Sequence, residues 1–282
     1  MNENTTHINW YPGHMAKAIR QMKEQLSLVD IVIEIRDARI PFASANPVLK
    51  ELANNKPVLI ILNKVDMADD KYNQYYGDVF KHYLLANSLN ENITSKVVNK
   101  VKEILKDKLD KAKARGIKKK VLRAMVVGVP NVGKSTFINN IVNKKITKTE
   151  NRPGVTRSLQ WIRINEDVEL LDTPGVLWPK IDNQNDAILL ALLGSINDNV
   201  VDTTELAKYG LNYIKNHYPG VLNNRYGINE ENDDLLKQIG ENKKLFNNNG
   251  DIDYHRLVEL VLKDIRNAKI GKITYQDVRE YI

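Results

Sequence analysis

The stretch Gly128-Val129-Pro130-Asn131-Val132-Gly133-Lys134-Ser135 fits the pattern G-x-x-x-x-G-K-[ST] without departure. It follows an apolar run, Val121–Val127, that reads as a buried strand, and it opens a helical pattern. That context commits this part of the chain to the strand–loop–helix unit of an α/β fold. Residue type then supplies the chemistry. Glycines let backbone N–H groups turn inward around phosphate oxygens, and the N-terminus of the next helix adds a favourable dipole. The expected cradle is Asn131, Val132, Gly133, Lys134, Ser135 and Thr136. Lys134 is expected at the β- and γ-phosphates of a nucleotide, and the Ser135 hydroxyl on Mg²⁺.

A second phosphate-side element, Asp172-Thr173-Pro174-Gly175, follows the apolar run Val168–Leu171. Alone, D-x-x-G is usually just a turn; at a strand end after the loop above it gains meaning. Asp172 is expected to hold Mg²⁺ through water, and the Gly175 N–H to sense the γ-phosphate. Between the two lies Pro153-Gly154-Val155-Thr156 in a polar connection. Thr156 is the candidate for a second hydroxyl on Mg²⁺, with Thr149 as the alternative.

The base is read elsewhere. Asn63-Lys64-Val65-Asp66 directly follows the apolar run Pro57–Leu62. A carboxylate only accepts, so Asp66 can take both N1–H and N2–H₂ of guanine, a donor pair that adenine lacks. A buried acceptor left unpaired by the wrong base can reject it by roughly 10⁴–10⁵. Asn63 is expected on the N7 side and the Lys64 stem along the base plane. Asn87 and Ser88, after the strand 83–86, are expected at guanine O6 through their N–H groups, unless they form an ordinary strand-to-helix turn. Usually N-K-x-D comes after the phosphate loop; here it comes before. A sheet tolerates such a reordering because chain ends lie close together at the surface.

With these motifs the chain resembles the circularly permuted GTPases, and among them the YlqF/RbgA ribosome-assembly family. The resemblance rests on Trp10-Tyr11-Pro12-Gly13-His14-Met15-Ala16-Lys17, Asp37-Ala38-Arg39-Ile40-Pro41, Asn63–Asp66, Gly128–Thr136, Pro153–Thr156 and Asp172–Lys180, and extends through Tyr254–Gly271. It implies a GTPase acting late in assembly of the large ribosomal subunit, with a C-terminal helical domain that helps contact ribosomal RNA. It also bears on hydrolysis. Where many GTPases place a water-orienting Gln after D-x-x-G, this chain has Val176, which cannot hydrogen-bond water. The resemblance offers His14, which either orients or deprotonates the water or merely fills the helix start. In similar GTPases an Asn at the position of Asn131 helps bind K⁺; the alternative is an Asn chosen for turn conformation.

Apolar runs alternating with helical patterns predict a mostly parallel sheet with helices on both faces across residues 1–179. Expected helices cover 15–28, 47–54, 70–81 and 94–115, the last ending at Gly116. Expected strands are 29–35, 57–62, 83–86 and 121–127, with a hairpin over 159–164 and 168–171. Residues 180–282 read as a smaller all-α domain, with helices near 184–194, 202–217, 231–245, 252–268 and 274–281. The absence of cysteine fits a reducing compartment. With no signal-like or membrane-length apolar run, the chain reads as soluble, cytoplasmic and monomeric.

Charge is concentrated. Of the +7 net charge, residues 96–123 carry twelve Lys/Arg against three Asp/Glu, whereas 180–282 carry thirteen against sixteen. Lys106, Lys108, Lys111, Lys113, Arg115 and Lys118–Lys120 make either a contact for a polyanion such as RNA or a solvated helix end. In the acidic C-terminal part an RNA patch would need Arg256, Lys263 and Arg266. The leading reading is Mg²⁺-dependent GTP hydrolysis at a precursor of the large ribosomal subunit. Alternatives are a GTP-gated RNA-binding adaptor and a GTPase serving the small subunit or tRNA.

Overall fold

The computed structural model describes residue 8 and residues 10–53, 56–142 and 159–282. Helix α1 (Gly13–Gln25) buries Met15, Ala18, Ile19 and Met22, an i, i+3, i+4, i+7 stripe. Strand β1 (Ile31–Asp37) leads through α2 (Pro47–Ala53) to β2 (Val58–Asn63), then α3 (Tyr76–Val79) and β3 (Tyr83–Ala86). Helices α4 (Thr94–Ile104) and α5 (Lys106–Ala114) return the chain to β4 (Leu122–Val127), which feeds α6 (Lys134–Val142). The hairpin β5 (Gln160–Arg163) and β6 (Val168–Asp172) completes a six-stranded sheet of order β3-β2-β1-β4-β6-β5. Every pair is parallel except β5–β6. The fold is therefore α/β, as expected. Right-handed crossovers put α2 and α3 on one face and α4 and α6 on the other. In keeping with this, Thr94 Oγ1 of α4 donates to the Ile141 carbonyl of α6 at 3.0 Å.

Two expected helices are interrupted. Residues 70–81 form a 3-10 turn, Asp70–Tyr72, and the single turn of α3. Asp69 accepts from Lys71 N there, and the buried rings of Tyr72, Tyr76 and Phe80 anchor the segment to Leu62 and Val278. Tertiary packing of aromatics overrides helix continuity. The helix expected over 94–115 breaks at Leu105, whose ψ of 16° departs from helical geometry. The break keeps Leu105 in the core while α5, which buries only Ala112, turns its lysines outward. Gly116, at φ +77°, closes α5 as expected.

Beyond Pro179 the described elements are helical: α7 (Gln184–Leu192), α8 (Thr203–His217), α9 (Val221–Tyr226), α10 (Leu235–Asn242) and α11 (Tyr254–Arg266). Asp202 caps α8, accepting from Thr204 N and Glu205 N. At Gly210 a Cβ would stand 2.7 Å from Ile265 Cδ1 and 2.9 Å from Leu192 Cδ1, so glycine permits the close crossing of α8 with α11 and α7. Helix α9 was not expected; six residues between Gly220 and Gly227 are too few to show a period. The helix expected over 274–281 is a 3-10 turn, Val278–Tyr281. No described helix is long and apolar enough to cross a membrane.

Candidate functional site

The parallel registers align the carboxyl ends of the strands. Asp37 pairs with Asn63, Asn63 with Ala86, and Val126 with Asp172. Asn87, Gly128 and Thr173 therefore leave the sheet along one rim, although the chain visits them far apart. The order reverses between β1 and β4, the place where open α/β sheets bind ligands.

Backbone geometry at the Gly128 loop is demanding. A Cβ on Gly128 would lie 2.7 Å from the Ile35 carbonyl oxygen, and one on Gly133 (φ +90°) 2.4 Å from Asn63 Nδ2. Asn131 adopts φ +62°, in the region where Asn is among the more tolerant residues. Lys134 begins α6 with its side chain buried. Its ammonium donates to the Thr173 carbonyl and lies 3.5 Å from Asp172 Oδ1. Burial pulls the Lys134 pKa down against the pull of Asp172, and burial pushes the Asp172 carboxyl up against that of Lys134. Thr173 Oγ1 donates to Val126 O at 2.7 Å, and Val176 N donates to Gly128 O at 3.2 Å. Gly175 lies so close that a Cβ would stand 3.0 Å from Pro130 Cα. The D-x-x-G segment thus folds directly onto the phosphate loop.

The expected base-reading motif closes over the same loop. Asn63 Nδ2 donates to Val132 O at 2.9 Å, and its Oδ1 accepts from Ser88 N at 3.2 Å. The amide thus fastens two loops together, and the second N–H of its Nδ2 donates to no described residue. Lys64, at φ +62°, donates from Nζ to Asn131 O at 2.6 Å and to Asp37 Oδ2 at 2.8 Å. Asp66 lies on the 3-10 turn Val65–Met67, partly exposed, and its carboxylate accepts no hydrogen bond from a described residue. Ser88 Oγ is buried without a hydrogen-bond partner, the one such side-chain atom among the described residues. Unpaired buried hydroxyls are costly, so this one is free to meet a ligand or a water.

Two features escaped the sequence reading. The first is Arg39, nearly fully buried, whose Nε and Nη2 donate to Asp37 at 3.0 and 2.8 Å. Its Nη1 donates to the carbonyls of Ile265 (3.3 Å) and Arg266 (2.9 Å) at the end of α11. Burial would raise the Asp37 carboxyl, but the cations of Arg39 and Lys64 hold it well below the usual carboxylate range. The second joins the phosphate loop to α7. Asn131 Nδ2 donates to Gly194 O at 2.5 Å, and Ser195 Oγ donates to Pro130 O at 2.7 Å. Gly194 (φ +79°) is the left-handed glycine that follows Leu193, the C-cap of α7. Arg266, expected on an RNA-facing side of α11, instead turns inward. It donates to the Ala191 and Leu192 carbonyls at 3.0 Å each and pairs with Asp198. Leu-Gly-Ser after an apolar helix was the available signal for this contact.

Ser135 and Thr136 open α6, half-buried. Thr156 and Thr149 lie outside the described residues. His14 is exposed in the first turn of α1, and the neighbouring Met15 Sδ accepts from Leu177 N at 3.4 Å, which sets that turn beside the segment after Gly175. Among the described residues no group of three or more His, Cys, Asp or Glu side chains could hold a metal by itself. The carboxylate of Asp172 and hydroxyl of Ser135 are hard oxygen donors suited to Mg²⁺ that also takes phosphate oxygens and water.

The family described as 50S ribosome-binding GTPase matches residues 123–245, which start at β4 and leave the N-K-x-D strand outside. A protein of Priestia megaterium named ribosome biogenesis GTPase A is 45% identical, covering 97% of this chain and 98% of its own. A protein of the same name from Bacillus cereus is 43% identical over 97% of this chain and 95% of its own. The crystal structure of GNP-bound YlqF from T. maritima superposes with a TM-score of 0.62 at 26% identity, covering 93% of this chain and 98% of that one. With the phosphate loop, the D-x-x-G segment and the permuted N-K-x-D motif gathered on one rim, the chain belongs to the ribosome biogenesis GTPase A family of circularly permuted GTPases.

Proposed function

We propose that this GTPase couples Mg²⁺-dependent GTP hydrolysis to a late step in assembly of the large ribosomal subunit. The observation that carries the reading is the clasp of Asn63 and Lys64 on the Val132 and Asn131 carbonyls. It ties the strand end that carries N-K-x-D directly to the phosphate loop, in a chain similar over nearly its whole length to ribosome biogenesis GTPases. Bound Mg²⁺, held by Ser135, Asp172 and Thr156, would neutralise charge on the transferring phosphoryl group.

The residues of the chain do the rest. Asp66 takes the guanine edge, with the Asn87 N–H at O6; the Ser88 N–H is held by Asn63 Oδ1, which leaves the Ser88 hydroxyl as its group for the base. Lys134 holds the β- and γ-phosphates, and Gly175 N–H senses the γ-phosphate. Asn131 contributes to a K⁺ site through its amide oxygen, since its amide nitrogen is engaged by Gly194. His14 orients the attacking water that Val176 cannot. His14→Ala is expected to leave GTP affinity unchanged and to lower particle-stimulated turnover by about 10²-fold or more. Stimulated turnover equal to the parent's would remove His14 from the mechanism. Intrinsic turnover without a partner is expected to be slow, on the order of 10⁻² s⁻¹ or less.

Residues 180–282 form the helical domain in this reading, and 1–179 the GTPase domain. Arg256 and Lys263 are exposed and available to ribosomal RNA, whereas Arg266 is not. Co-sedimentation with small-subunit particles, large-subunit precursors and mature large subunits, with GDP or a non-hydrolysable analogue, tests the client. Preferential, analogue-dependent capture by the precursor is expected, together with stimulated hydrolysis. Capture by small subunits alone would transfer the activity to another client.

A further inference from the structure

The cations of residues 96–123 are not equivalent once folded. Lys102 pairs with Asp167 at 2.6 Å, Lys108 with Asp30, and Lys119 with Glu166. Asp30 immediately precedes β1, and Glu166 and Asp167 immediately precede β6. The basic segment is therefore pinned at the amino ends of the strands, the pole of the sheet opposite the nucleotide rim. Three cations are spent on that attachment. Lys106, Lys111, Lys113, Arg115 and Lys118 remain exposed, with no ion pair to a described residue. With Ala112 as its one buried residue, α5 owes its place in the fold to its neighbours, so core packing does not account for this crowding of like charge.

The charge continues onto the edge of the sheet. Arg123 is exposed on β4 and pairs with Glu169 at 3.4 Å, and its guanidinium stands 5.3 Å from the ring centroid of Trp161 on the edge strand β5. Trp161 is 37% exposed, an unusual position for the largest apolar side chain, and Arg163 is exposed two residues on. Guanidinium groups beside an exposed indole are the elements of a base-stacking platform.

We propose that α5, the connection 115–120 and the Trp161 edge together form an RNA-docking face. The unpaired cations contact phosphates, and Trp161 stacks an unpaired base. The inference rests on the ribosomal-particle reading above and locates one contact within it. An anionic membrane surface fits less well, because α5 lacks the apolar face that an interfacial helix buries. The six residues of β4 separate this face from the phosphate loop by about 20 Å at about 3.3 Å per residue. RNA docked there leaves the nucleotide rim open, so the affinity of this contact does not depend on whether GDP or a GTP analogue is bound.

The probe is a synthetic RNA hairpin with an unpaired loop, titrated against the full chain at several salt concentrations. The Lys111→Gln/Lys113→Gln/Lys118→Gln variant is expected to bind more weakly, with the slope of log affinity against log salt shallower by about 2–3. Trp161→Ala is expected to bind about 5- to 150-fold more weakly with an unchanged slope, and Trp161→Phe to recover part of the loss. Intrinsic GTP hydrolysis remains at the parent level in all three, which reports an intact fold. Parent-like affinity and slope in the lysine variant overturn the proposal, as does parent-like affinity in Trp161→Ala. Binding of the parent to anionic phospholipid vesicles in preference to the hairpin also overturns it, in favour of a membrane. Particle-stimulated hydrolysis of the parent is measured alongside. Its absence sinks the ribosomal reading itself, whereas stimulation combined with parent-like RNA binding by the variants sinks only this face.

Discussion

Asp66→Asn is expected to lower GTP affinity by about 10²–10⁴-fold. Two charge-assisted hydrogen bonds, from N1–H and N2–H₂ of guanine to one carboxylate, contribute about 1.5–3 kcal/mol each. An amide at that position keeps one acceptor and turns a donor toward the guanine amine, so a bond is lost and a clash of donors is gained. Xanthine carries a carbonyl where guanine carries that amine. The same variant should therefore gain affinity for xanthosine triphosphate while losing it for GTP. Titration of the parent and variant with both nucleotides reads the exchange directly. A loss of less than about tenfold for GTP would mean that Asp66 does not read the base. The structure supports a clean outcome, because the Asp66 carboxylate accepts no hydrogen bond from a described residue. Removing its charge breaks no hydrogen bond to a described residue and takes away only a coulombic attraction to Arg39 and Lys64.

Arg39→Met is expected to destabilise the fold by about 3–5 kcal/mol, the usual cost of removing one partner from a buried ion pair. Methionine retains the apolar stem but strips Asp37 of its main counter-charge and takes from the Arg266 carbonyl the donor it has in Arg39. Acidity should reveal the origin of the loss. Asp37 is held below the ordinary carboxyl value of 3.8. Its contribution is thus fully present above that value and is lost as pH falls from it toward the lower folded pKa. Without Arg39, burial drives the folded pKa upward and this acid-dependent part shrinks. Urea midpoints of parent and variant, measured at neutral pH and again below about pH 4, should converge as pH falls. A neutral-pH difference under about 1 kcal/mol would show that Arg39 is dispensable to the core.

The nucleotide rim was largely legible in the sequence because its parts are local. Gly128–Ser135 and Asn63–Asp66 are each a strand end plus a turn, and strand-forming runs such as Val58–Leu62 are apolar throughout. Their being neighbours also followed, since parallel strands must end on one rim. What escaped was made by three or more distant segments. Arg39 carries no local mark of its fate: its burial requires β1, Lys64 and the end of α11 to meet. The α7 contact of Asn131 likewise needs a left-handed glycine sixty-three residues downstream. The bonds by which Asn63 ties the Val132 carbonyl to the Ser88 N–H escaped for the same reason, because they join three segments that only the tertiary fold brings together. The break at Leu105 reflects a choice between helix continuity and core burial, which periodicity alone does not decide.

The bonds from Gly194 and Ser195 to Asn131 and Pro130 give the helices after Pro179 a grip on the cradle itself. Coupling free energy is symmetric between two binding events. If filling the cradle shifts those helices, then a particle that seizes the helices must alter nucleotide affinity by the same factor. A cargo could thereby load or eject its own nucleotide without a separate exchange protein, by leaning on the far end of a two-bond lever.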